Sequence, residues 1–360
     1  MTAVTPDAIR IHCARSQPLK ISPRQFELNA AAFELPNGAQ SGLFRIVAED
    51  GWAVEPVGHL CWRLTAFEID IDRPLSISLQ RILPAGRSEE WLFLVPVQLD
   101  LTSAFDPVEH TFPEPNRAAV LGDILPERRL FALTYIQPPG LLANALFNGL
   151  YSGIVFLRRD GPTRGGLCSG MARWAVARGL GAEPQPESRE HALERIVVYH
   201  GRQLCDRAFA RGVRWLLRGS PRASYRVLRR ELLQHGTTDR AFDIGVPKPW
   251  RRDVVSALVT QGHTVVPYRI RQDSGDRAFV EVYDPNRPPA TLETPETIEF
   301  DLRRDRYSYR HMVSMDQTNV GIIAARQSGY ARQGTAIMAG LASLGMKVGK
   351  WMAEIRKSVS

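Results

Sequence analysis

Residues 163–176 read TRGGLCSGMARWAV, and they place Cys168 behind two glycines at the expected start of a helix. A thiol is nucleophilic as its thiolate. The free N–H groups and the dipole of a helix N-terminus favour that anion. The same N–H groups can receive the oxyanion of an acyl intermediate. Gly165 and Gly166 allow the backbone to turn sharply before the helix. The competing reading is structural, because a free cysteine is often only a small buried residue. A nucleophile also needs a base, and the base needs a group that orients it.

His263 is the histidine best placed to be that base. It begins a strand in QGHTVVPYRI, just after a helix stop at Gly262. The next strand runs into VYDPN and delivers Asp284 and Asn286. If the two strands form an antiparallel hairpin, one register sets His263 beside Asp284. A shift of two residues sets it beside Asn286 on the same face. Either side chain can hold one imidazole nitrogen and fix the tautomer. Asp284-Pro285-Asn286 is also an ordinary turn sequence. The order Cys168, His263, Asp284 or Asn286 is what raises the three above chance.

With these residues in view, GGLCSGMA, GHTVVPYRI and VEVYDPN resemble the papain-like cysteine peptidase superfamily in its broad sense. The blocks are also similar to those of a group of largely uncharacterised bacterial proteins. The resemblance covers roughly residues 164–309, IEFDLRRDRYSY included. It implies an α+β domain in which Cys168 is the nucleophile, His263 the base and Asp284 the orienter, with Asn286 as substitute. It further implies hydrolysis or acyl transfer at a peptide or amide bond, with a peptide or protein substrate and no cofactor. The chain departs from the papain pattern in two respects: RDGPTRGGLC holds no Gln before the cysteine to line an oxyanion hole, and no aromatic residue follows Cys168 directly. The alternative is therefore an inactive papain-like scaffold that serves as a protein- or membrane-surface-binding module.

Other elements must position these residues. Residues 1–115 are expected to form a β-rich, sandwich-like domain. SISLQRIL alternates around Ile77 and Leu79, and WLFLVPVQLDL places Val95, Val97, Leu99 and Leu101 on one face. FDPVEHTFPEPN, rich in Pro and charge, reads as a linker. Residues 116–310 are the α+β domain. Within it, residues 138–157 are an apolar run interrupted by Asn144, Asn148, Gly149 and Gly153, which fits a buried segment better than a membrane span. Ser220 and Pro221 mark one helix start and Gly236 its stop. Residues 311–360 are expected to be an amphipathic helical tail, with Ile337, Leu341, Leu344, Val348, Trp351 and Ile355 on one stripe beside Lys347, Lys350, Arg356 and Lys357. That tail either covers the core or lies on an anionic membrane surface.

The bulk numbers agree with a multidomain globular chain. It has 360 residues, 44% apolar, and a net charge of +8. Five of the 46 basic residues are lysines, and the arginines fall in scattered pairs such as Arg128-Arg129 and Arg251-Arg252. Without a zinc-finger spacing or an RRM-like aromatic motif, that charge does not read as nucleic-acid binding. Cys13, Cys61, Cys168 and Cys205 are widely spaced with no C-x-x-C, against a zinc site or disulfide framework. Unpaired thiols and an N-terminus without an apolar h-region point to the cytoplasm. No nucleotide-binding, zinc-protease or nucleophile-elbow motif is present. Oligomeric state is not written in these residues.

Overall fold

A computed structural model of the chain describes residues 9–13, 24–29, 43–48, 52–58, 61–66, 75–82, 88–95, 97–117, 128–136, 167–205, 220–247, 262–272, 276–287, 294–310, 312–318 and 320–335. The expected apolar run at 138–157 and the helical stripe at 337–355 lie outside them. The described chain is a mixed α/β protein. Among the described residues no helix is long and apolar enough to cross a membrane.

The chain opens with strands β1 (Ile9–Cys13), β2 (Arg24–Asn29), β3 (Leu43–Ala48), β4 (Trp52–Gly58), β5 (Cys61–Ala66), β6 (Leu75–Ile82), β7 (Ser88–Val95) and β8 (Val97–Thr102). They make two three-stranded antiparallel sheets, β2-β5-β4 and β3-β6-β7, while β1 and β8 pair in parallel. Alternation in the sequence maps onto burial. Ile77 and Leu79 on β6 and Leu64 on β5 are fully buried, and Ile46 and Trp62 join them in one core. The run WLFLVPVQLDL is not one strand: β7 ends at Val95, β8 starts at Val97, and the two belong to different sheets.

Beyond β8 come helix α1 (Arg128–Thr134), β9 (Tyr135–Ile136), α2 (Cys168–Gly179), α3 (Arg189–Gly201) and α4 (Pro221–His235). They are followed by β10 (Arg240–Pro247), β11 (His263–Gln272), β12 (Arg277–Tyr283), β13 (Glu296–Asp301), β14 (Arg306–Ser308), β15 (Val320–Arg326) and β16 (Gly334–Thr335). Eight strands form one sheet in the order β1-β8-β11-β12-β13-β14, with β10 and β15 branching from β11. The branch arises because β11 is long. Its first residues pair with β10, from His263↔Ile244 to Val265↔Phe242, and its last four pair with β8, from Arg269↔Thr102 to Gln272↔Leu99.

This pairing runs across the boundary expected at residues 115/116. Strand β8, inside residues 1–115, is hydrogen-bonded to β11, so no break in the sheet falls at 115/116. Residues 320–326 are not part of a helical tail. They form β15, which pairs with β10 from Arg240↔Arg326 to Pro247↔Val320. The physical reason is visible in VGIIAAR, whose five central residues are buried in the sheet.

The linker reading of residues 105–116 is also overturned. Phe105, Thr111 and Phe112 are buried, and the segment lies along α2 as a strap. Phe105 meets Gly179 at the C-terminal end of the helix, and Phe112 packs edge-on to Trp174 at 6.4 Å in its middle. The aromatic side chains outweigh the turn chemistry of the prolines around them.

Helix α2 is consequently enclosed on all sides: every residue from Ser169 to Arg178 is buried. The sheet, α3 and the strap supply the walls. Arg173, fully buried, locks the helix to β10 and β15. Its guanidinium donates to both oxygens of Asp243 at 2.8 Å and to the Ala325 carbonyl at 2.8 Å, and lies 4.1 Å over the Tyr330 ring. By contrast α4 has the sequence-expected caps. Ser220 accepts from the Ala223 N–H, and Gly236 ends the helix with φ 67°.

Gly170 sets how closely α3 approaches the Cys168 end of α2. A Cβ there would overlap the Ile196 carbonyl oxygen and sit 2.7 Å from the His200 Cβ. Both are held by a packed helix, so relief requires moving the helices apart. Gly170→Ala is expected to destabilise the protein by about 2 kcal/mol or more, measured by urea unfolding. A stability equal to wild type would contradict this packing.

Candidate active site

Cys168 is the first residue of α2, preceded by Leu167 as N-cap. The helix begins with the Met171 N–H donating to the Leu167 carbonyl at 2.9 Å, so the N–H groups of Cys168, Ser169 and Gly170 come before the helical ladder. Cys168 is half-buried, whereas Ser169 and Gly170 behind it are buried. The thiol is thus carried on a helix whose next ten residues are buried, while Cys168 itself is half-buried.

His263 opens β11 in the branch region, between β10 and the end of β12. Only 5% of it is exposed. Its Nε2 donates to Asp284 Oδ1 at 2.7 Å, and the Cys168 side chain lies near enough to favour the charged ring. With Nε2 turned to the carboxylate, Nδ1 is the nitrogen left for the thiol. The three residues placed in order by the sequence are therefore brought together in space.

Of the two orienters left open by the sequence, Asp284 holds the ring. The β11–β12 ladder ends at Val266↔Tyr283. Past it the chain turns at Asp284-Pro285-Asn286, with an isolated bridge from Asp284 to Arg287, and the carboxylate reaches back to His263. The Asn286 Nδ2 lies 3.5 Å from the same Nε2. Both nitrogens are donors in this arrangement, so that approach is a contact and not a bond. Asn286 instead supports the carboxylate, its backbone N–H donating to Asp284 Oδ1 at 2.8 Å.

Two further residues, neither of them among the candidates read from the sequence, complete the site. Tyr309, fully buried, donates its hydroxyl to Asp284 Oδ2 at 2.6 Å. Asn116, at the end of the strap, accepts from the Leu167 N–H at 2.7 Å and donates to Asn286 Oδ1 at 2.9 Å. The Tyr in RYSY is visible in the sequence, but only its tertiary position shows that it faces Asp284. Asn116 sits in a stretch that reads as a linker, so nothing local marks it. Among the described residues no group of three or more His, Cys, Asp or Glu could hold a metal ion.

The electrostatics follow from these contacts. Burial works against a charged His263, but the hydrogen bonds and negative charges of Asp284 and Cys168 outweigh it and raise its pKa to about 10. Burial likewise opposes ionisation of Asp284. The His263 bond and charge, the Tyr309 hydroxyl and the Asn286 N–H overcome it and hold the carboxyl below its ordinary value. Burial and the adjacent carboxylate push the Tyr309 phenol well up, so it stays a donor. The histidine therefore contributes stability that is complete below its ordinary value of 6.5 and is lost as pH rises through about 10. Asp284 contributes stability that is complete above 3.8 and is lost as pH falls through its lowered value.

The chain matches no protein-family model, no curated protein and no solved structure.

Replacing Asp284 by Asn keeps the shape of the acceptor and removes the charge. The His263 pKa is then expected to drop by roughly two pH units, read from the imidazole nitrogen shifts by NMR. An unchanged titration would mean that Asp284 does not hold the ring in solution.

Proposed function

We propose that the chain is a thiol hydrolase or acyltransferase acting on a peptide or amide carbonyl through Cys168, His263 and Asp284. The observation that carries this reading is the imidazole of His263, held by Asp284 at 2.7 Å and near enough to the helix-start Cys168 for the thiol to act on its charge. A helix-start cysteine, a histidine opening a strand and a carboxylate just past the next strand are the arrangement of a papain-like α+β domain, and that is the fold class we assign.

The chemistry follows from the atoms in place. The Cys168 proton passes to His263 Nδ1, giving a thiolate–imidazolium pair. The thiolate attacks the carbonyl carbon. The oxyanion that forms is met by backbone N–H groups at the start of α2, Cys168 among them. His263 returns its proton to the departing amine, the C–N bond breaks and an acyl-thioester remains on Sγ. Water or an amine then gives up a proton to His263 and attacks the thioester, which releases the acid or the transferred amide and restores the thiol. Asp284 stays ionised throughout. It fixes the tautomer and stabilises the imidazolium.

The expected result with peptide esters and amides is an acyl adduct on Cys168, detected by intact mass and peptide mapping. Cys168→Ala should abolish it, and His263→Ala should slow its formation on the order of 10²–10⁴-fold with the fold retained by circular dichroism. If no acyl group is ever found on Cys168 and its labelling is indifferent to His263, the domain is a scaffold and the proposal fails.

A further inference from the structure

The strap that crosses α2 ends at the nucleophile. From β8 it enters the α2 surface at Phe105 beside Gly179, passes Trp174 at Phe112 and reaches Leu167 at Asn116. It runs antiparallel to the helix for the helix's whole length. On the way Glu114 forms an ion pair with Arg189 of α3 at 2.6 Å, which fastens the strap just before its end.

Asn116 then makes three hydrogen bonds to two segments distant in the sequence. Its backbone N–H donates to the Pro285 carbonyl at 2.8 Å. Its Oδ1 accepts from the Leu167 N–H at 2.7 Å, and its Nδ2 donates to Asn286 Oδ1 at 2.9 Å. The amide orientation is dictated by chemistry, because a backbone N–H can only donate and so must face the oxygen. The Asn286 backbone N–H donates in turn to Asp284 Oδ1, the same oxygen that holds His263 Nε2. A short chain of bonds thus runs from the residue before Cys168, through Asn116 and Asn286, to Asp284 and His263. Cys168 lies near enough to His263 to favour the charged imidazole, so the two ends of this chain of bonds come together at the site.

Geometry of this kind has a consequence. Cys168 and His263 are on separate elements, and proton transfer between them tolerates little error in their separation. The large contacts of α2, the Arg173 ion pair and the Gly170 crossing, fix the helix as a body. They do not tie its first turn to the turn that carries Asp284. Asn116 does so directly, with one side chain that offers an acceptor to one segment and a donor to the other. Ala offers neither, and Asp offers the acceptor without the donor.

We infer that Asn116 is a positioning residue that acts through Leu167 and Asn286 to hold the Cys168 thiol and the His263 imidazole at a reactive separation. This rests on the thiol-enzyme reading above. Iodoacetamide alkylation of Cys168 in the full chain, followed against pH by peptide mapping, tests it in wild type, His263→Ala, Asn116→Ala, Asn116→Asp, Asn286→Ala and the Asn116→Ala/Asn286→Ala pair. Wild type should label with a midpoint well below the ~8.5 of an ordinary thiol. Asn116→Ala should move the midpoint up toward that value and slow labelling at about pH 6.5 by at least about tenfold.

Asn116→Asp keeps the bond from Leu167, so it serves if the alanine variant does not fold; it too should raise the midpoint. Asn286→Ala should shift it in the same direction, and the double variant should go little further than Asn116→Ala alone, because both substitutions break one chain of bonds. A purely structural residue would lower the melting temperature and leave the midpoint in place. Three results are decisive. Asn116 variants with the wild-type profile overturn the positioning role and leave the enzyme reading standing. Strictly additive shifts overturn the route through Asn286. A wild type that labels slowly and ignores His263→Ala overturns the enzyme reading and the positioning role together.

Discussion

A histidine enclosed to 95% can carry a proton only if something nearby makes up for the water it has lost, and here that is Asp284 at 2.7 Å. The carboxylate in turn must be kept ionised inside the protein. His263 does most of this, and Tyr309 and the Asn286 N–H add two further donors. Remove the carboxylate and the buried ring loses the bond that does most to hold its proton. Remove the Tyr309 and Asn286 donors and the carboxylate loses part of the support that holds it ionised beside His263. The site is therefore a chain of mutual dependence, and the strands around it can be understood as what that chain requires. His263 must open β11, Asp284 must follow β12, and Tyr309 must return past β14.

The nucleophile is held by a different device. Helix α2 is buried on every side, and its only half-open residue at the N-terminal end is the cysteine itself. Enclosure of this kind restricts α2 as a body: β10 and β15 hold it through Arg173, α3 through the close crossing at Gly170, and the strap through Phe105 and Phe112. The forked sheet makes room for both devices. Because β11 pairs with β10 at its start and with β8 at its end, a single strand joins the residue near the thiol to the strand that launches the strap.

What could be read in the sequence was what local rules govern. Alternation gave Ile77 and Leu79 to a strand core, and Ser220 and Gly236 bounded a helix, because pleat and cap are short-range constraints. The order Cys168, His263, Asp284 was legible because each sits at a punctuated element boundary. What stayed hidden depends on long-range packing. Residues 105–116 read as a linker because Pro and charge dominate them locally, while the burial of Phe105 and Phe112 depends on α2, some sixty residues away. The run through Pro96 alternates without a gap, so nothing in it announces that β7 and β8 part into different sheets. Strand β15 lies past the last block of the resemblance, Asn116 sits in a stretch that reads as a linker, and the block that holds Tyr309 does not say that this side chain meets Asp284. The choice between Asp284 and Asn286 turned on the exit of the chain from its ladder at Tyr283, a backbone detail that period-two reasoning does not contain.

The central claim is that Cys168 and His263 share a proton as a thiolate–imidazolium pair. The most direct measurement is the ultraviolet thiolate absorbance of the wild type minus that of Cys168→Ser, followed with pH. A thiolate signal already present near about pH 6, and lost in His263→Ala, is the predicted result. A signal that appears only at about pH 8.5 in both proteins would contradict the account.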